Sequence, residues 1–149
     1  KAVCFNEAMK PEFSAYARCV VENSRALADE LASQGFRIVS GGTETHLFLV
    51  DLRGNGITGR QAQDALESVG IDVNMNEIPY DETPPTVTSG IRIGTPAVTT
   101  RGMGKDQMEL IGGMIARVLK NPGDEAAAGA VRSEVRDLLS KFPLYPQLD

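Results

Sequence analysis

From Pro11 to Gln34 the apolar residues Phe13, Ala17, Val20, Leu27 and Leu31 recur at three- and four-residue spacing, with Ser24 interrupting. That spacing is the stripe of one amphipathic helix. A long helix with a single apolar face gains its stability by packing that face, so it calls for a second layer. Pro11 suits the first turn, and Gly35 suits the left-handed residue that closes the helix. Upstream, Ala2, Phe5 and Met9 share a similar face and predict a preceding helix over Lys1 to Met9.

The second layer is legible downstream. Phe36–Val39 and His46–Leu52 are rich in strand formers, and Ser40–Thr45 between them reads as a hairpin-like connection. Thr58 with Gln61 forms a capping box that opens a short helix to about Val69, closed by Gly70. Ile71–Val73 reads as a short strand, and 74–86 as a loop holding Pro79, Pro84 and Pro85. Val87–Ile93 returns to extended structure until Gly94-Thr-Pro96 stops it. Helices follow over about 105–119, with Met108, Ile111, Ile115 and Val118 on one face, and over about 124–142, with Val131, Val135, Leu138 and Phe142. The order α-β-β-α-β-β-α-α predicts an α/β layer structure with a small mixed or antiparallel sheet covered by helices.

Composition narrows the function classes. The chain has 149 residues and a net charge of -5, without the basic footprint that neutralises nucleic-acid phosphates. No apolar run approaches the roughly 18 residues of a membrane-spanning helix. Cys4 and Cys19 are too few for a disulfide scaffold, which points to a reducing compartment, and both are expected to be buried small hydrophobes. The first residues are Lys-Ala-Val-Cys-Phe, without a leading Met, so the chain reads as a piece of something longer.

Gly54-Asn-Gly56-Ile-Thr-Gly59 is a literal G-x-G-x-x-G, with Glu77 about twenty residues on, as in dinucleotide folds. The βα alternation of such folds does not continue past Gly70, so a glycine-rich turn before a capped helix is preferred. His46, the only histidine, excludes a zinc site built from several histidines. It is expected to be a hydrogen-bonded structural residue. Asp81-Glu82 and Asp124-Glu125 read as solvated charges near a loop and a helix start. Arg92 stands apart, flanked by apolar residues and bracketed by glycines in Thr88-Ser-Gly-Ile-Arg-Ile-Gly-Thr-Pro-Ala97. Its planar fork matches a substrate carboxylate, and an internal ion pair is the equal alternative.

Three stretches together resemble serine hydroxymethyltransferase, in its C-terminal region: Ser40–Leu52, Asn74-Met-Asn76, and Thr88–Ala97 with the following Thr99-Thr-Arg-Gly102. The resemblance runs from Lys1 to the closing Phe142-Pro-Leu-Tyr145. It implies the C-terminal small domain of a fold-type I enzyme dependent on pyridoxal phosphate, with residues 1–10 as the tail of an interdomain helix. The implied reaction passes a one-carbon unit between serine, glycine and tetrahydrofolate.

Further implications concern single residues. Arg92 would grip the amino-acid carboxylate, orienting the substrate against the cofactor. Asn76, Pro84, Pro85 and Thr86 would contact folate, although the family commonly has Lys at Met75 and Ser-Pro-Phe at Pro84-Pro-Thr86. The family's cofactor lysine sits in a Thr-Thr-His-Lys segment, and none of Lys1, Lys10, Lys105, Lys120 or Lys141 has that context. The chain is therefore expected to lack the large cofactor domain and to be inactive by itself. The intact enzyme is expected in the cytoplasm as a homodimer or larger. The small domain of an aminotransferase and a free-standing amino-acid-binding module are the two rival readings.

Overall fold

The computed structural model describes residues 1–144, so Tyr145 of the closing run lies outside the described residues. Helix α1 (Ala2–Ala8) leads into the long α2 (Pro11–Ser33), which opens on Pro11 and closes before Gly35 at φ +91°. Strand β1 (Arg37–Ile38), a 3-10 turn (Val39–Gly41) and β2 (Leu47–Asp51) form the expected antiparallel hairpin. Then come α3 (Gly59–Ser68), β3 (Asn74–Asn76), β4 (Gly90–Gly94), α4 (Pro96–Thr100), α5 (Lys105–Lys120) and α6 (Glu125–Lys141).

The sheet has the order β1-β2-β4-β3, with every neighbouring pair antiparallel. Directly paired residues share a face. Ile38, Val50, Ile91 and Met75 form one cross-sheet row, and Val50 and Ile91 are completely buried. Helix α2 packs against β1 and β2, and α3 against β3 and β4. Behind them α5 lies along α2, and α6 lies on α5. At the α2–α5 contact Gly112 leaves room for the Glu30 side chain and Leu27, so the two helices approach closely. The opposite row holds Leu49, Arg92 and Asn74; Arg92 and Asn74 are exposed and Leu49 is half-buried. One sheet face is thus core, and the other is open around Arg92 and Asn74 but covered at the Asp51–Gly90 end.

Local chemistry explains the elements. The Thr58–Gln61 capping box is present, with each side chain reaching the other's backbone amide. Asp124 caps α6 by accepting from the amides of Ala126 and Ala127. Three expectations need correction. The strand expected at 71–73 lies at Asn74–Asn76, which was read as loop, because pairing with β4 overrides the poor strand propensity of Asn-Met-Asn. Helix α4 was not anticipated, although Pro96 at its first turn is a recognised helix opener. The strand expected over Val87–Ile93 begins only at Gly90, so Ser89 and the two residues before it, Val87 and Thr88, are not strand. The Val87 and Thr88 carbonyls accept from the amides of Arg60 and Gly59, satisfying donors that the start of α3 leaves free.

Cys4 and Cys19 are both exposed rather than buried. Cys4 sits on α1, which buries no residue, and Cys19 falls off the packed stripe of α2. That stripe is itself bare at its start, where Phe13 is exposed together with Val3, Phe5 and Met9.

Ser24 interrupts the stripe at a fully buried position, and its hydroxyl has no hydrogen-bond partner. The carbonyl of Val20, one turn back, is already taken by the Thr95 hydroxyl at 2.8 Å. Ser24→Ala is expected to stabilise the fold by about 1 kcal/mol, because it removes an unsatisfied buried group and improves helix propensity. The urea midpoint checks this; an unchanged or lower midpoint would mean that the hydroxyl is satisfied.

Candidate functional site

The open sheet face is centred on Arg92, in the middle of β4. That strand pairs on both sides, with β2 and with β3, so its backbone is held along its length. Two residues earlier, Gly90 has no space for a side chain: a Cβ would collide with the Ile78 side chain and approach the Val50 carbonyl to 2.7 Å. Two residues later, Gly94 sits against the His46 carbonyl. The bracketing glycines therefore let β2 and the loop after β3 close tightly around the strand.

The Arg92 guanidinium is exposed and donates from Nη2 to the Asn74 side-chain oxygen at 3.1 Å. Among the described residues no carboxylate lies within ion-pair distance of it. Other arginines are committed differently. Arg37 and Arg53 both hold the buried Asp51, at 2.6 and 2.8 Å. The Arg53 hydrogen bond outweighs burial and keeps the Asp51 carboxyl below its ordinary pKa. Arg117 pairs with Glu134, whose carboxyl is likewise lowered by that hydrogen bond. The internal ion pair that was the equal alternative for Arg92 is not formed among the described residues.

The base of the loop between β3 and β4 covers one end of that face, where the Ile78 side chain lies against Gly90, and the tip is bonded to α3 through Arg60 and the Thr86 carbonyl. Asn76 ends β3, half-buried, and its side chain donates to the Glu77 carbonyl at 2.6 Å. Pro84, Pro85 and Thr86 are exposed at the loop tip. The Pro84 carbonyl closes a turn by accepting from Val87 and Thr88 at 2.8 and 3.0 Å. Met75 shares the covered row with Ile91, and its backbone amide donates to Gln63 at 2.8 Å. A methionine suits this half-buried position, on the face opposite Arg92.

Asp81 corrects an expectation. It was read as a solvated charge, yet its carboxylate accepts from Ile78, Thr83 and Ser89. Burial raises its pKa, but side-chain and backbone hydrogen bonds from Thr83 and Ser89 outweigh that and hold the carboxyl well below the usual range. The Asp81-x-Thr83 spacing is the signal that was missed, since aspartate bonds the backbone two residues on in Asx turns. His46 also differs from expectation. Its ring is exposed and makes no hydrogen bond among the described residues, while its backbone carbonyl accepts from Thr95 at 3.1 Å. The glycine-rich run forms a turn before α3, as preferred, and every strand pair among the described residues is antiparallel rather than the parallel pair of a βαβ unit.

Fold and site together define a small α/β lobe that presents a carboxylate-matching arginine on an open sheet face. The sequence model of the serine hydroxymethyltransferase family matches residues 1–115, and the chain belongs to that family. The match spans all four strands and most of α5; α6 lies beyond it. The family is one of transferases dependent on pyridoxal phosphate.

The residues present fit a substrate carboxylate but not the cofactor's covalent anchor. Lys1 and Lys10 cap α1 and α2, Lys105 and Lys120 stand at the two ends of α5, and Lys141 ends α6. No lysine lies on the strands or in the loop from Glu77 to Ser89. No helix among the described residues is long and apolar enough to cross a membrane.

Proposed function

We propose that this chain acts as the substrate-facing small domain of a serine hydroxymethyltransferase, packing against a large domain that holds pyridoxal phosphate. Residues 1–149 form this one domain, with 1–10 as the tail of an interdomain helix. The carrying observation is Arg92, exposed on the open sheet face with a side-chain amide rather than a carboxylate as its partner. With Asn74 holding Nη2, the guanidinium keeps donors for a carboxylate of glycine or serine. Two parallel hydrogen bonds fix the amino acid's orientation, which converts an encounter into a positioned reactant.

Asn76 and the exposed Pro84, Pro85 and Thr86 take the tetrahydrofolate side of the site. The bare apolar groups of α1 and early α2, Val3, Phe5, Met9 and Phe13, are suited to cover by the rest of a cytoplasmic, dimeric enzyme. Since this chain lacks the cofactor's anchor, it has no activity by itself.

The test is conversion of serine to glycine by the intact enzyme supplied with pyridoxal phosphate. Conversion that requires tetrahydrofolate is expected. Amino-group transfer to a 2-oxo acid, with no response to folate, would overturn the reading in favour of an aminotransferase.

A further inference from the structure

One side chain ties the two ends of the loop between β3 and β4 to each other. Asp81 Oδ1 accepts from the Ser89 hydroxyl at 2.7 Å, the Thr83 hydroxyl at 2.7 Å and the Thr83 amide at 3.0 Å. Its Oδ2 accepts from the Ser89 amide at 2.8 Å and the Ile78 amide at 3.3 Å. The two hydroxyls also meet each other at 3.1 Å. These bonds tie the start of the loop at Ile78 to its end at Ser89, immediately before β4.

The loop conformation is otherwise costly. Tyr80 and Thr88 both occupy left-handed backbone, at φ 59° and φ 56°. For non-glycine residues, and above all for a β-branched threonine, this backbone is strained. Thr88 is compensated by the start of α3, whose Gly59 amide donates to its carbonyl at 3.0 Å. Tyr80 is 95% exposed, so packing does not hold it, and the adjacent Asp81 network is what fixes the chain there. Between these two points the tip Pro84-Pro85-Thr86 projects into solvent. Its two prolines limit its own freedom, Arg60 Nε of α3 donates to the Thr86 carbonyl at 3.4 Å, and the Asp81 tie fixes the base from which it rises.

We propose that Asp81 is a positioning residue for folate. By closing the loop at its base it holds Pro84, Pro85 and Thr86 in the shape that meets the co-substrate, which rests on the reading of that tip as a folate contact. An ionised carboxylate is required. Both oxygens act only as acceptors, and the three backbone amides cannot turn to another partner. An asparagine would present its own donors to one side of this set. Arg92 lies outside the tie, because β4 is paired on both sides through Gly90–Arg92.

The experiment uses the intact enzyme with Asp81→Asn, Thr83→Val and Pro85→Gly, measuring tetrahydrofolate affinity, glycine affinity and amide exchange over 78–89. For Asp81→Asn, folate affinity is expected to fall about tenfold or more while glycine affinity stays within about twofold, and loop exchange should rise. Thr83→Val removes a single hydroxyl without opening a gap, so it should shift folate affinity the same way by a few-fold and serves if Asp81→Asn does not fold. Equal loss of folate and glycine affinity would mean general structural damage and overturn the proposal. Unchanged folate affinity in the two loop-base variants, with a loss in Pro85→Gly, would overturn it and leave the tip's role standing. If all three variants bind folate normally, the folate reading of the tip fails, and this proposal with it.

Discussion

In the intact enzyme Arg92→Ala is expected to lower kcat/KM for serine by roughly 2–5 kcal/mol, or about thirty- to several-thousandfold. The size follows from what is removed. On the proposed reading, a carboxylate held by a planar fork in a site closed by a second domain would have shed its water, so losing the partner would leave a desolvated charge unpaired. The loss should appear in amino-acid binding, while the affinity of folate, which we propose meets a different loop, should change far less. Arg92→Lys should recover only a small part, since an ammonium on a flexible stem cannot supply two parallel hydrogen bonds. An unaltered Arg92 backbone is expected, because β4 is anchored by both neighbours. Steady-state kinetics with serine checks this.

The second large effect is on the fold beneath the site. Gly59→Val is expected to destabilise the protein by roughly 3 kcal/mol or more, above the usual range for overpacking. A Cβ at this position collides with the Thr88 hydroxyl and with the Gly90 carbonyl. The carbonyl belongs to the central strand and cannot swing aside as a side-chain end would. Relief would require α3 to move away from β4, breaking the bonds from Gly59 and Arg60 to the Thr88 and Val87 carbonyls. For a chain of this length the melting temperature should drop by roughly 10 °C. Gly54, in the same glycine-rich run, is the internal comparison. Nothing lies within 4 Å of a Cβ built there, so Gly54→Ala should stay within about 0.5 kcal/mol of the parent. If both substitutions had the same effect, the close approach of α3 to β4 would not be what the run provides.

Elements whose signal is local and periodic were legible in the sequence. The stripe of α2, the Thr58–Gln61 box and the faces of α5 and α6 are each written in neighbouring residues. Arg92 was legible for a similar reason, since apolar neighbours and bracketing glycines describe a strand position closely approached by other backbone. What was missed is non-local. Asn74–Asn76 is strand only because β4 lies beside it, and Thr88 leaves the strand conformation only because α3 begins against it. Asp81 gathers partners from Ile78 to Ser89, a set that composition cannot reveal, although its bond to Thr83 two residues on was readable. The exposure of Cys4 and Cys19 could not be inferred from residue type, because α1 buries no residue and Cys19 lies off the buried stripe of α2.

Comparing serine with serinamide as ligands of the intact enzyme, in the parent and in Arg92→Ala, probes the carboxylate grip most directly. The amide keeps the shape of the amino acid but loses the charge that the guanidinium is proposed to recognise. The parent should prefer the carboxylate by about two orders of magnitude, and the variant should bind the two within about threefold. A preference that survives intact in Arg92→Ala would show that another group holds the carboxylate, and would contradict the role assigned to this strand.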